Sequence, residues 1–76
     1  MSTNITLSTK RVQAVKQALR QLIEELRSTP VEILDQERAN VEGRLRTLAA
    51  LGLIDLEEEK ELYYMAEAAR QAAKGI

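Results

Sequence analysis

The amino-acid sequence predicts a small all-α domain: a three-helix up-down-up bundle, with helices at about 9–27, 30–51 and 56–74, that self-associates. Apolar residues recur at helical spacing in three segments, and a helix-start signal precedes each of them. The two connections are short, so consecutive helices should be antiparallel neighbours. We expect residues 1–7 to form a flexible N-terminal arm and residues 8–76 to form a single helical domain.

The first predicted helix is amphipathic, and Ser8 is placed to cap its N-terminus. Its apolar residues, which fall on one arc, are Val12, Val15, Leu19, Leu22, Ile23 and Leu26. Lys10 and Arg11 lie in the first turn, where the helix dipole disfavours cations. Helices 1 and 3 start at the same end of an up-down-up bundle, so we expect these cations to face the acidic run 57–61.

The second predicted helix begins at a strong start signal, Thr29-Pro30-Val31-Glu32. Thr29 is predicted to be the N-cap, with Pro30 as the first helical residue and Glu32 closing a capping box. The helix ends at Gly52 in a Schellman turn. Its predicted apolar stripe consists of Val31, Leu34, Val41, Leu45, Leu48 and Ala49.

The third predicted helix starts at a second capping box, formed by Asp55 and Glu58, and stops at Gly75. It carries two apolar stripes, although one small bundle can bury only one of them. The stripe predicted to pack in the core is Leu62, Ala66, Ala69 and Ala73. The second stripe, predicted to be a protein–protein interface, is Tyr64, Met65, Ala68 and Ala72.

Two residues interrupt the pattern of the second helix. Arg38 falls in the middle of its apolar stripe. Either its methylenes cover the core edge with the guanidinium in water, or it forms an ion pair with a partner or a second protomer. We include Arg38 among the predicted interface residues. Gly43 lies mid-helix, where glycine costs about 1 kcal/mol relative to alanine; close approach of another helix or a tolerated defect would account for it.

The composition argues against catalysis. The 76 residues include no His and no Cys, so the commonest general base, thiolate ligands and disulfides are all missing. The acidic residues between 55 and 61 suit helix capping better than a calcium loop, and no Gly-rich phosphate loop occurs. We predict a chain that is not an enzyme, with no catalytic residue, cofactor or metal. Lacking an apolar run of about 18 residues and a signal peptide, it is predicted to be cytoplasmic, with no membrane partner.

Nucleic-acid binding is an alternative that the charge distribution leaves open. Residues 1–30 carry a net charge of +3 and residues 31–76 a net charge of −4. The stretch 41–54, a basic amphipathic helix closing on a Gly-Leu-Ile turn, resembles the recognition-helix ending of winged-helix regulators. That resemblance implies DNA contacts by Arg44, Arg46 and the basic face of helix 1. The family's two-stranded wing should follow, but acidic residues in a helical pattern follow instead, and these would repel phosphate.

Two further stretches resemble known elements. Residues 45–62 are similar to the short helical hairpins found at the ends of many bacterial proteins, which implies an interaction or oligomerisation role. Residues 4–7 alternate like the opening strand of ribbon–helix–helix repressors, although the first helix is too long for that fold.

The function predicted from these observations is that of a non-enzymatic helical protein-interaction module. We expect a homodimeric regulator or inhibitor of a larger protein, of the kind that phages and plasmids encode. The alternatives are a DNA-binding transcriptional regulator with a helix-turn-helix-like element and a purely structural oligomerisation module.

Overall fold

A computed structural model describes residues 9–75 and confirms the all-α class. The helices are α1 (Thr9–Glu25), α2 (Val31–Ala50) and α3 (Leu56–Ala73), and a 3₁₀ turn, Leu26–Ser28, ends α1. Every pair of helices is in contact, so the three form one packed bundle. The predicted arm at residues 1–7 and the Ser8 cap lie outside the described residues.

The core is entirely apolar within the described part of the chain. It draws on all three helices and on the turn before α3, and its members are Leu19, Ile23, Leu26, Leu34, Val41, Leu45, Leu48, Ile54, Leu62, Ala66 and Ala69. The predicted core stripe of α3 is confirmed. Two predicted core residues were wrong: Val31, which is 60% exposed at the first position of α2, and Val15, which is 41% exposed.

The connection between α2 and α3 forms as the sequence predicts, except that Glu58 does not close the capping box with its side chain. Gly52 has a φ of 74°, and the amide of Leu53 donates to the carbonyl of Leu48 at 2.9 Å, which is the Schellman pattern. Asp55 then caps α3, since its Oδ1 accepts from the amide of Glu58 at 2.8 Å. The carboxylate of Glu58 accepts from Lys16 of α1 at 3.1 Å.

The connection between α1 and α2 corrects the predicted capping box. The hydroxyl of Thr29 donates to the carbonyl of Glu25 at 2.9 Å, so it completes the end of α1 and makes no cap for α2. Pro30 occupies the N-cap position with a ψ of 141°, and α2 therefore begins one residue later than predicted. The Thr29 hydroxyl is held against the free carbonyl of α1, and no amide of α2 within the described residues donates to its oxygen.

Within residues 9–75, no helix combines the length and the apolar character needed to cross a membrane.

Candidate protein-interaction surfaces

An open groove of about 770 Å³ runs between α1 and α2. The residues that line it are Val15, Ala18, Leu19, Leu22, Ala39, Asn40, Gly43, Arg44, Thr47 and Leu48. Val15 is exposed because this groove, rather than the core, lies beside it. The interface predicted from sequence lies on α3, and nothing in the sequence pattern had indicated this groove.

Small side chains leave the groove unfilled. Ala18 lies on the α1 wall, and Ala39 and Gly43 lie on the α2 wall. A Cβ atom built onto Gly43 would meet nothing within 4 Å apart from its own helix backbone and chain neighbours. No neighbouring helix of this chain therefore requires glycine at position 43, and the groove offers a close approach to a helix from elsewhere.

Replacing Gly43 with alanine is expected to raise the free energy of unfolding by about 0.8–1 kcal/mol, because alanine is the better helix former and the site has room. Urea unfolding followed by circular dichroism measures the change, at a chain concentration low enough to keep the chain monomeric, so that no second copy contacts position 43. Gly52→Ala is the matched control: its positive φ of 74° is strained for alanine, so this variant should be destabilised. A destabilised Gly43→Ala variant would contradict the open space seen beside α2.

Unpaired charges flank the groove. Glu25 and Glu37 line a smaller hollow that shares Leu22, Asn40 and Arg44 with the groove. No side-chain ion pair within the described residues involves Glu25, Glu37 or Arg44. Two carboxylates and one guanidinium, none of them in an ion pair within the described residues, therefore lie around the hollow at the end of the groove that Leu22 and Asn40 line.

The predicted second stripe of α3 is only partly available at the surface. Tyr64 is 77% exposed, and Ala68 and Ala72 are also exposed. Met65 is partly buried against the core, and Nη1 of Arg20 lies 3.7 Å from its sulfur. The spacing of residues 64, 68 and 72 places them along one side of α3, which leaves an exposed strip of one aromatic and two small side chains.

Arg38 forms its ion pairs within the chain. Its Nη1 lies 3.2 Å from a carboxylate oxygen of Glu42, and its Nη2 lies 3.1 Å from one of Glu67 on α3. Its Nε is buried without a hydrogen-bond partner. The guanidinium therefore joins α2 to α3, a role that neither interpretation made from the sequence had included.

Arg38 and Tyr64 meet in a shallow hollow of about 410 Å³ between α2 and α3, whose other lining residues are Lys60, Tyr63 and Glu67. The structure thus brings two of the five predicted interface residues together. Ala68 and Ala72 do not line this hollow. The assignment of these residues to a protein interface stays a prediction.

Ion pairs extend along both flanks of α3. On the α2 side, Glu67 lies 3.2 Å from Arg70, which in turn lies 3.1 Å from Asp35. On the α1 side, Lys16 lies 3.1 Å from Glu58, and Arg20 lies 4.0 Å from Glu61. Partly exposed pairs contribute only about 0–1 kcal/mol each. Their effect is to select the packing of α3. Lys16 and Arg20 contact the acidic residues at the start of α3, where only Lys10 and Arg11 were predicted to do so.

The two arginines that the winged-helix resemblance would place on DNA lie on different sides of α2. Arg44 lines the groove beside α1, whereas Arg46 lies on the side of α2 that faces Tyr63 of α3. Interaction with Tyr63, and with the charge of Glu42, raises the pKa of Arg46. Two residues apart on a helix point in nearly opposite directions, so Arg44 and Arg46 do not form one basic surface.

The described residues 9–75 hold no group of three or more Asp or Glu side chains arranged to bind a metal ion. Comparison of the chain with protein-family models, curated protein sequences and solved structures finds no match. Its function is therefore argued from the two surfaces themselves: the α1–α2 groove and the exposed strip of α3.

Proposed function

We propose that this chain is a non-enzymatic protein-interaction module, a homodimeric regulator or inhibitor of a larger protein. The observation that supports it most strongly is the groove between α1 and α2, about 770 Å³ in volume and lined mainly by apolar and small side chains. Grooves of this kind accept an amphipathic helix, whose apolar face removes the exposed lining from water.

The exposed strip of α3 supplies a second surface, for the larger protein. Tyr64 stands on the outside of α3, and tyrosine is enriched at protein interfaces because it adds apolar area and a hydroxyl with little conformational entropy. Ala68 and Ala72 lie one and two turns further along the same helix and leave room for close contact. Dimerisation and binding of a partner would therefore use different helices.

Site-specific photo-cross-linking in the source cell tests the proposal. A benzoylphenylalanine in place of Ala18 is expected to cross-link to protein in the groove, and one in place of Tyr64 to cross-link to a larger protein at the α3 strip. Both side chains are exposed, so neither replacement removes core packing. Denaturing gels then report the mass of each adduct.

Gln13 provides the matched control, because it is exposed on α1 and does not line the groove. A probe at this position should give no adduct above background. If the probes at Ala18 and Tyr64 also capture no protein of any mass, the protein-interaction function is wrong.

A further inference from the structure

We propose that the occupant of the α1–α2 groove is α2 of a second copy of this chain, lying antiparallel across a two-fold axis that passes beside Asn40. This inference rests on the proposed function and names the partner at its groove. The resulting core would contain four helices, α1 and α2 from each copy, with α3 on the outside of each half.

The charges flanking the groove are self-complementary under such an axis. Glu37 and Arg44 are seven residues apart on α2, which is about 10 Å along the helix, and neither has an ion-pair partner within the described residues. A two-fold axis midway between them carries Arg44 of one copy onto Glu37 of the other, and the reverse. Glu25, which lines the same hollow as Glu37, adds a second carboxylate to each site.

The apolar and small residues fit the same arrangement. Rotation about this axis brings the exposed Ile33 of one copy to the end of the groove where Val15 and Leu48 of the other lie. Gly43 and Ala39 on α2 let the two helix backbones come close, which explains a mid-helix glycine that nothing within one chain requires.

Asn40 lies nearest the axis, where it would meet its own counterpart. It is exposed in the single chain, at the position that two-fold symmetry would bury. A buried asparagine pair selects one register, because any shift leaves its amides without hydrogen-bond partners. Glu37 lies three residues before Asn40 and Arg44 lies four residues after it, so a second copy turned about an axis beside Asn40 presents the opposite charge to each of them by symmetry.

Charge reversal with recombination tests the arrangement. The wild-type chain is expected to sediment at twice its 8.6 kDa mass. Arg44→Glu and Glu37→Arg should each weaken the dimer at least about tenfold, since each places like charges at both symmetric sites. Mixing the two variants should restore the wild-type affinity. In the heterodimer, the new glutamate at position 44 faces the new arginine at position 37 at one site, and the unchanged Glu37 and Arg44 face each other at the other site. This recovery shows that both variants are folded.

A cysteine cross-link provides the geometric test, because the chain has no cysteine of its own. Asn40→Cys should form covalent dimers with a bis-maleimide spanning about 8 Å, the separation of closely packed helices. Gln13→Cys, on α1 away from the groove, should not.

If the wild-type chain sediments as a monomer at a concentration of about 100 μM, the dissociation constant of any dimer is above about 100 μM, which is too weak for a stable dimer. That result would overturn the inference. So would a dimer in which the mixed variants fail to recombine or Asn40→Cys fails to cross-link. If Ala18 then photo-cross-links to a protein of another mass, the proposed interaction function still stands and the groove has a different occupant. If it cross-links to nothing, both the function and the inference fail at this groove.

Discussion

The Leu45→Ala variant is expected to lose about 2–5 kcal/mol of its free energy of unfolding. Leu45 is 0% exposed in the C-terminal half of α2 and belongs to the one core cluster of the described residues. The chain has no Phe or Trp with which to fill the space that the leucine leaves. Domains of this size have a total stability of about 5–10 kcal/mol, so a loss in this range leaves little margin. Urea unfolding followed by circular dichroism measures it.

Leu51→Ala is the matched control, a second leucine near the same end of α2 that is exposed. Removal of its side chain takes no buried surface out of the core, and we expect a change within about 0.5 kcal/mol. Equal losses for the two variants would contradict the assignment of the α2 core face.

The Ala66→Asp variant is expected to lose a large part of the bundle's free energy of unfolding. Ala66 is 0% exposed on α3, and none of the buried side chains in the described part is polar. An aspartate there has neither water nor a cation to compensate its charge, which costs about 3–5 kcal/mol, the penalty measured when a buried charge loses its partner. The decrease in the urea concentration at the midpoint of unfolding, followed by circular dichroism, measures the outcome.

Ala68→Asp, two residues further along α3, is the control. Ala68 is exposed, so the new carboxylate stays in water and only the lower helix propensity of aspartate counts, at less than about 1 kcal/mol. The pair of variants tests which of the two apolar stripes of α3 packs in the core. Unfolding by Ala68→Asp with tolerance of Ala66→Asp would reverse the assignment of the stripes.

The proposed dimer has a consequence for the surface of α3. A dimer formed through α1 and α2 leaves the exposed strip of α3, which carries Tyr64, uncovered on both copies. Each dimer would therefore have two identical strips. Two linked copies of one surface bind a repeated or dimeric target more tightly than a single copy does, without any new contact. This arrangement suits a regulator whose target is itself an oligomer.

The sequence determined the features that depend on a few neighbouring residues. The turn after α2 is one example, since Gly52 supplies the positive φ and the amide of Leu53 reaches back to Leu48. The cap of α3 is another, since Asp55 needs only the amide of Glu58. The core face of α3 also followed from sequence, because helical spacing alone aligns Leu62 with Ala66.

Tertiary structure decided the features that depend on the neighbouring helix. The hydroxyl of Thr29 had two helix ends within reach, and it bonds the carbonyl of α1. The head group of Arg38 meets Glu67, which is 29 positions away in the sequence, and no local pattern pairs the two.

The groove is the clearest case. Its small residues, Ala18, Ala39 and Gly43, lie on two helices and have no signature in either helix alone. Periodicity shows which side of a helix faces inward, but a gap between two helices depends on how closely their walls pack. The volume of side chains from both helices sets that distance, so only the assembled bundle reveals the surface on which the proposed dimer rests.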